Sequence, residues 1–298
     1  MSTQKINPKE TVKTTAVDYT IATKPIHAFK TQLYRWYSFY ERDINDKRIA
    51  NQLKILSDSV VINSMGNTAT SKAEYKSIAA KYKGTKNSHK LISTKINQTK
   101  PAINANSQIV FQTIRPDGSN AQMRIGYSFE TSQYNGNTLP LLQKIEINPL
   151  EQLSFNSFSD TYAVNRLSAL MHFWLFNIEQ MDGNATPFKQ LLADQFELHF
   201  SKETIVTNLE QFEKWVKYAA KAVSDTNHFP ENFEVTKLED NLYELNVDFV
   251  WRGKSPDNTK LKAVTHHKWT VEDDINEPFA KIRKMEVSYK VPFSPLDE

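Results

Sequence analysis

The chain has 298 residues, more than one typical domain, and its 39% hydrophobic residues, with 17 Phe, 12 Tyr and 5 Trp, suffice for two hydrophobic cores. Its 37 Lys and Arg nearly balance its 34 Asp and Glu, which argues against a dedicated nucleic-acid-binding protein. Cysteine is absent, which excludes disulfides, thiolate catalysis and cysteine-ligated zinc, and no segment has the ~20 apolar residues of a transmembrane helix.

The first 25 residues are polar and predict an N-terminal tail. Its positive charges, on Lys5, Lys9 and Lys13, are interpreted as a solvated face rather than as a nucleic-acid contact. Residues 1–23 lack the apolar run of a signal peptide. We therefore expect a cytoplasmic protein with neither nucleic-acid nor membrane partners.

Three helices are predicted after this tail, because apolar residues recur at intervals of three and four. A break at Asn45-Asp46 separates the first two helices. The apolar positions, helix by helix, are Phe29, Leu33, Trp36, Tyr37 and Tyr40, then Ile49, Leu53 and Leu56, then Tyr75, Ile78, Ala79 and Tyr82.

Strands are predicted next, because the period of the apolar residues changes to two. Residues 110–114 and 122–129 flank Pro116-Asp117-Gly118-Ser119, a sequence typical of a hairpin turn. In the second half, residues 243–251 alternate apolar and polar side chains, and residues 263–271 and 282–289 are further strands. Helices followed by a meander predict an α+β fold with the helices on one face of the sheet.

The second half of the chain repeats the first. The offset grows only from 136, between Lys54 and Gln190, to 140, between Lys144 and Lys284, and the landmarks keep their order. The repeated helices carry Leu167, Leu170 and Trp174, then Phe188, Leu191 and Leu192, then Phe212, Trp215 and Val216. We predict two domains, at residues 26–155 and 160–298, behind a tail at residues 1–25.

The repeated unit resembles the SnoaL-like branch of the nuclear transport factor 2-like superfamily. The resemblance lies in the aromatic first helix, the closing Lys-x-Glu strands, and two junctions, Leu56-Ser57-Asp58-Ser59-Val60 and Leu192-Ala193-Asp194-Gln195-Phe196. It implies two tandem cone-shaped domains of the cystatin-like kind, each with three N-terminal helices packed on a curved antiparallel sheet around a pocket. It also implies paired sheets, which a tandem chain can supply internally as a pseudo-dimer, so that the protein can be a monomer.

This superfamily hosts isomerases, epoxide hydrolases, cyclases and non-catalytic binders, so the fold alone names no function. The catalytic carboxylate of the steroid-isomerase relatives corresponds to Asn63-Ser64 and His199-Phe200, and neither copy keeps it. The epoxide-hydrolase relatives use an Asp-Arg-Asp set. Asp248 and Arg252 share one strand face, but an exposed ion pair is the simpler interpretation.

Repeated polar residues give further candidates. Asp58 and Asp194 occupy matching junctions, where each is a pocket acid or, more simply, a residue that closes a helix. His89 and His228 also match, and catalysis and a structural hydrogen bond explain them equally well. His266 and His267 are adjacent on a strand, so they point to opposite faces and cannot chelate one metal.

The catalytic candidates are therefore Asp194, His228, His199 and Asp248, and the predicted ligand-binding residues are Trp36, Tyr40, Asp58, His89, Trp174, His267 and Trp269. Most of the aromatic residues are expected in the core. We expect no metal and no cofactor, since no phosphate-binding loop or metal-ligand spacing appears.

Three functions remain open. The favoured one is a non-catalytic protein that binds a small apolar molecule in a pocket between sheet and helices. The second is an acid–base enzyme, isomerase, epoxide hydrolase or cyclase-like, with the second domain active because it concentrates His199, His228, His267 and Asp248. The third is an interaction scaffold with a filled interior.

Overall fold

The computed structural model describes residues 18–99 and 101–296. The predicted tail lies largely outside them, including Lys5, Lys9 and Lys13. The structure differs from the predicted solvated tail at its C-terminal end. Thr23 is buried, and the first helix begins at Lys24.

The chain forms two compact units. The N-terminal unit comprises residues 28–169 and 275–278, and the C-terminal unit comprises residues 170–274, 279–296 and the described residues 18–27. Short segments of each sequence repeat thus belong to the unit of the other. The predicted α+β class with two tandem cone-like domains is confirmed.

Each repeat has the same order of elements. The first contains α1 (Lys24–Tyr40), α2 (Asp46–Leu53), β1 (Leu56–Ser64), β2 (Asn67–Ala69), α3 (Lys72–Ala80), β3 (Lys86–Thr99), β4 (Ala102–Ile114), β5 (Asn120–Thr131) and β6 (Leu142–Leu153). The second contains α4 (Tyr162–Ile178), a 3₁₀ helix (Thr186–Gln190), β7 (Leu192–His199), β8 (Ile205–Val206), α5 (Leu209–Ala222), β9 (Ser224–Glu239), β10 (Leu242–Lys254), β11 (Lys260–Glu272) and β12 (Lys281–Pro295).

Each unit has one six-stranded sheet, in the orders β2-β1-β6-β5-β4-β3 and β8-β7-β12-β11-β10-β9. Both sheets are mixed rather than antiparallel as predicted, because β1 pairs parallel with β6 and β7 pairs parallel with β12. The meander from β3 to β6 is antiparallel, but β1 enters the sheet from the helical segment in the same direction as the closing strand. The apolar pattern of a strand does not show whether it runs parallel or antiparallel to its neighbour in the sheet.

Two predicted helices are shorter than their apolar patterns suggested. In the first repeat α2 ends at Leu53, and Leu56 is the first residue of β1. In the second repeat the corresponding segment is a single 3₁₀ helix with Pro187 in its first turn, and Leu192 already begins β7. In both places a buried residue at the start of a strand continues the helical spacing by coincidence.

The third helix of each repeat begins with the same reciprocal cap. Ser71 accepts a hydrogen bond from the Glu74 amide (3.2 Å), and the Glu74 carboxylate accepts one from the Thr70 amide (2.7 Å). In α5 Asn208 accepts from the Gln211 amide (3.0 Å), and Gln211 accepts from the Thr207 amide (2.9 Å). These caps fix where α3 and α5 start on the sheet.

The apolar stripes of the first helices form the cores, as predicted. In the N-terminal unit Phe29, Leu33, Trp36 and Tyr37 are at most 1% exposed. In the C-terminal unit Leu170 is fully buried, and Trp174 packs edge-on against Phe188 and Trp269. The helices thereby cover one face of each sheet, and the cavities described below lie between them and the strands.

Candidate functional site

The N-terminal unit contains a cavity of about 420 Å³. Its walls come from α1, α3 and the central strands. Phe, Tyr and Trp supply six of the lining residues, and His89 of β3 also lines the cavity. The size is that of a pocket for a small organic molecule. The principal wall residues are Trp36, Tyr40, Tyr75, His89, Phe111 and Tyr127.

The C-terminal unit contains a second cavity of about 320 Å³ at the corresponding place. Its walls come from α4, α5 and strands β9 to β12. His228 of β9 and His267 of β11 line it, together with a larger share of aromatic residues. The principal wall residues are Trp174, Trp215, His228, Phe249, Trp251 and His267.

Behind His228 lies a fully buried carboxylate, that of Glu179, one residue past the end of α4. Its Oε1 accepts hydrogen bonds from the His228 amide (2.7 Å), from Nδ1 of His228 (3.0 Å) and from the Thr23 hydroxyl (2.7 Å). Burial alone would raise the pKa of Glu179, but the charges of His27 and His228 and their hydrogen bonds lower it to about 2. The carboxylate is therefore ionised and orients the His228 ring.

Two further histidines extend this arrangement away from the cavity. The His27 ring places Nε2 3.4 Å from the Glu179 carboxylate and 3.0 Å from the His228 carbonyl oxygen. Its Nδ1 lies 2.9 Å from Nδ1 of His172, so one of these two nitrogens donates to the other. His27, His172 and Glu179 are almost fully buried. The result is a continuous line of titratable groups, which we call the histidine line: His228, Glu179, His27 and His172.

The N-terminal unit has a matching carboxylate, Glu41, one residue past α1 and also fully buried. It accepts hydrogen bonds from the His89 amide (2.7 Å), the Thr161 hydroxyl (2.6 Å) and the Asn165 side chain (2.9 Å). Nδ1 of His89 is 3.4 Å from Glu41 and makes no hydrogen bond among the described residues. The hydrogen bonds to this carboxylate come from a backbone amide, a hydroxyl and a side-chain amide, and none comes from the His89 ring.

The two cavities also differ in their polar groups. In the N-terminal cavity the hydroxyls of Tyr40 and Tyr75 are 2.7 Å apart, and burial raises the pKa of Tyr75 well above its ordinary value. In the C-terminal cavity burial, together with the charges of His228 and His266, lowers the pKa of His267 to about 3. The first cavity thus offers neutral phenol hydroxyls, and the second a neutral imidazole.

Six residues predicted from the sequence line a cavity. Trp36, Tyr40 and His89 line the N-terminal cavity, and Trp174, His228 and His267 line the C-terminal one. His266 lies on the opposite sheet face from His267, as predicted, where its Nδ1 is 2.8 Å from Asp248.

The structure does not bring the remaining predicted residues to a cavity. Asp58 and Asp194 are exposed on β1 and β7, where the Asp58 carboxylate, 98% exposed, pairs with Lys72 rather than closing a helix. His199 lies beside Glu197 on the face of β7 that is opposite to Phe200, which lines the cavity. Trp269 is fully buried behind the cavity wall, and its Nε1 donates to Nδ1 of His267 (3.4 Å).

Asp248 lies on the outer face of β10, since its neighbour Phe249 points to the cavity. Its carboxylate accepts hydrogen bonds from Lys290 (2.6 Å) and Asn232 (2.7 Å) as well as from His266. Burial opposes ionisation of Asp248, yet these hydrogen bonds lower its pKa to about 2. Arg252, the partner expected from the sequence, lies instead over the ring of Tyr19.

The sequence reasoning missed Glu41 and Glu179. A signal for them exists, because the two residues are 138 apart, within the range of 136 to 140 that relates the repeats. Each also follows directly on the aromatic first helix of its repeat. Comparison of every acidic pair at the repeat offset would have found them.

Residues 18–99 and 101–296 contain neither a candidate metal site nor a candidate membrane-spanning helix. No group of three or more His, Asp or Glu side chains there could hold a metal ion. No helix in the same residues has the length and hydropathy needed to cross a bilayer.

No family model matches the sequence, and no curated protein matches it. Solved structures do match, each over a little under half of the chain. A hexachlorocyclohexane dehydrochlorinase, LinA-type3, from Novosphingobium barchaimii is 14% identical, at 45% coverage of this chain and 88% of its own, with a TM-score of 0.39. A protein with a cystatin-like fold from Caulobacter vibrioides is 10% identical, at 44% and 91% coverage, with a TM-score of 0.37.

A third matched structure is described as a nuclear transport factor 2-like superfamily protein, from Salmonella enterica. It is 11% identical, covers 45% of this chain and 95% of its own, and has a TM-score of 0.39.

Proposed function

We propose that the protein binds a small, largely apolar molecule in the cavity of each unit. The observation that carries this proposal is the pair of cavities, about 420 and 320 Å³, each with aromatic walls and one histidine held by a buried carboxylate. Apolar walls with a few fixed polar groups are the usual composition of small-molecule sites. A filled interior, which the scaffold hypothesis needs, is absent from the described parts of both units.

The aromatic walls favour a flat or aromatic ligand body, since rings pack edge-on or offset against other rings. One polar atom of such a ligand would meet His89 in the first cavity, and His228 or His267 in the second. The cost of a cavity this size is recovered when a ligand fills it, because the wall atoms regain contacts that an empty space denies them.

Binding of the neutral fluorescent probe N-phenyl-1-naphthylamine tests this proposal. We expect two sites per chain in the wild-type protein and one in Thr265→Phe, because Thr265 lines the C-terminal cavity. Thr270→Phe is the matched control, on the same strand, β11, but on the opposite face. Absence of binding by the wild type, or two sites in Thr265→Phe, would contradict the proposal.

A second candidate function is acid–base catalysis in the C-terminal unit. The observation that favours it is the 3.0 Å hydrogen bond from Nδ1 of His228 to Glu179, which leaves Nε2 as the ring nitrogen nearest to the cavity. A carboxylate in this position fixes the tautomer and stabilises the imidazolium that forms when the ring takes up a proton. The ring of His89 in the N-terminal unit lacks this bond.

In such a reaction Nε2 of His228 would abstract a proton from a C–H or O–H group of the bound molecule. The new positive charge on the ring would face the ionised Glu179, and the proton could return to another atom of the same molecule. His267, kept neutral, could hydrogen-bond to the oxygen at which negative charge develops. The chain's own groups therefore suffice for an isomerisation. In an elimination the leaving group would depart as an anion with the bonding electron pair, and His228 would release the abstracted proton to that anion or to water.

A panel of ketones, epoxides and β-substituted apolar compounds tests this second function. We expect turnover by the wild type, its loss in His228→Gln, and retention in His89→Gln. In His27→Asn, which copies Asn165 of the N-terminal unit, we expect lower turnover and a shifted pH profile, because one of the two imidazole rings next to Glu179 is removed. Equal turnover in His228→Gln and the wild type would rule out His228 as the base.

A further inference from the structure

The mouth of the N-terminal cavity is positively charged. Lys81, at the end of α3, Lys83, in the turn after it, and Arg115, at the end of β4, are all exposed and all line the cavity. Gly84 and Pro116, the respective neighbours of Lys83 and Arg115, approach each other closely, since a Cβ on Gly84 would be 3.4 Å from the Pro116 ring. The three cations therefore lie on one side of the opening, on two segments in contact.

Little negative charge balances these cations. Among the described residues no Asp or Glu lines this cavity. The Asp117 carboxylate, next to the mouth, accepts hydrogen bonds from the amide (2.9 Å) and the hydroxyl (2.7 Å) of Ser119. These bonds lower the pKa of Asp117, and the charge of Arg115 lowers it further. Arg115 itself makes one side-chain hydrogen bond, from Nη1 to the Ser119 hydroxyl (3.2 Å). The mouth retains an excess of positive charge.

The interior of the same cavity has no cationic side chain among the described lining residues, because Lys81, Lys83 and Arg115 are all at the mouth. The Glu41 carboxyl group lies behind His89 and accepts hydrogen bonds from the His89 amide, Thr161 and Asn165. The phenols of Tyr40 and Tyr75 suit an apolar or hydrogen-bonding body instead. The cations therefore favour the anionic group of a ligand at the mouth, and the interior favours its apolar body.

The C-terminal cavity lacks this device. No Lys, Arg, Asp or Glu is among its lining residues in the described chain. At the repeat offsets of 137 and 140 residues, Lys81 corresponds to Tyr218 and Arg115 to Ser255. Tyr218 lines the cavity and is 70% exposed, so the cationic position has become an aromatic one. The N-terminal mouth is therefore cationic, and the C-terminal mouth is uncharged and aromatic.

We infer that the two cavities prefer different ligand classes. The N-terminal cavity binds an organic anion more tightly than a neutral molecule with the same apolar or aromatic body, because the carboxylate, sulfonate or phosphate lies between Lys81, Lys83 and Arg115. The C-terminal cavity has no such preference and binds a neutral apolar molecule at least as well. This inference rests on the proposed binding function and adds the ligand class of each site.

Two probes that share their aromatic rings test the inference. The anion 8-anilino-1-naphthalenesulfonate carries a sulfonate that the neutral N-phenyl-1-naphthylamine lacks. Both are titrated into the full chain, into the triple variant Lys81→Gln, Lys83→Gln, Arg115→Gln, and into a control with equal loss of charge. The control is Lys76→Gln, Lys86→Gln, Lys95→Gln, three exposed lysines that line neither cavity.

We expect the affinity for the sulfonate to fall about tenfold in the mouth variant and less than about twofold in the control. Added salt should weaken sulfonate binding in the wild type and lose most of that effect in the mouth variant. The neutral probe should bind all three proteins alike.

Equal sulfonate affinities in the mouth variant and the control would overturn the inference while leaving the proposed function intact, provided that the neutral probe binds. If neither probe binds the wild type, the proposed function fails, and the inference fails with it. Loss of the neutral probe in the mouth variant alone would also overturn the inference, since it would show that these residues shape the cavity rather than select charge.

Discussion

His267 stands in the wall of the C-terminal cavity between Phe249 and Trp269, with Nε2 3.1 Å from the hydroxyl of Thr265 and Nδ1 accepting from Trp269. Burial lowers its pKa to about 3, so the folded protein keeps this ring neutral. In the unfolded chain the same side chain takes up a proton near pH 6.5. The difference makes folding stability depend on pH.

The sign follows from the proton balance. Between pH 6.5 and about 3 the unfolded state binds a proton at His267 that the folded state does not, so stability present above pH 6.5 is lost as the pH falls. From pH 7 to pH 5 this one group costs at most about 2 kcal/mol, and less where water in the cavity hydrates the ring. We expect His267→Gln to lose less stability than the wild type over this range.

Urea unfolding of both proteins at pH 7 and pH 5 measures this difference. His199→Gln is the matched control, because His199 is partly exposed on β7 beside Glu197. Parallel pH dependence in the wild type and His267→Gln would show that His267 is protonated in the folded protein.

The residue scale also marks the limit of the sequence reasoning. The repeat comparison found His89 and His228, because histidine is rare and a matched pair is conspicuous. It passed over Glu41 and Glu179, two of 34 acidic residues, whose burial depends on a helix end that meets a strand distant in the chain. Asp58 and Asp194 matched equally well and are exposed. Matching positions establish a common fold, and burial decides the role.

At the scale of elements, α5 provides a test of capping. Asn208 closes the N-terminus of this helix, which carries Phe212 and Trp215 toward the sheet and the cavity. We expect Asn208→Ala to lower the free energy of unfolding by about 1 kcal/mol, because one backbone donor of the first turn loses its partner.

Asn208→Asp should retain most of the stability, since a carboxylate accepts the same hydrogen bond and suits the helix N-terminus. Chemical denaturation of the two variants and the wild type gives the comparison. Equal destabilisation by alanine and aspartate would mean that the hydrogen bond accepted by residue 208 contributes nothing to the free energy of unfolding.

Helices and antiparallel strands were predictable because their signals are local. The stripe of α1, the turn at Pro116-Asp117 and the alternation in β10 are all confirmed. The parallel pairing of β1 with β6 was not predictable, since it joins Ile62 to Ile145 across four intervening strands and a helix. Nor were the short strands β2 and β8, which have three and two residues and thus no period to detect.

At the scale of the whole molecule, the two copies keep one architecture and differ in the lining of their cavities. Both place a histidine on the first long strand and a buried carboxylate behind it. The first copy adds tyrosines and a cationic mouth, and the second adds imidazoles and aromatic rings. Duplication has thus preserved the support of the site while its chemistry diverged.

The partners of the two buried carboxylates bear on how the chain could be shortened. Glu41 is held by Thr161 and Asn165, and Glu179 by Thr23 and His27, in each case residues at the start of the helix that opens the other repeat. A fragment that stops at residue 155 therefore leaves the carboxyl group of Glu41 without these two donors. We expect such a fragment to be unfolded by circular dichroism.

Replacement of the same donors in the full chain, by Thr161→Val and Asn165→Leu, should cost several kcal/mol, because a buried carboxyl group that loses its hydrogen-bond donors is strongly destabilising. Neither repeat is then an independent module that could be moved to another protein as it stands.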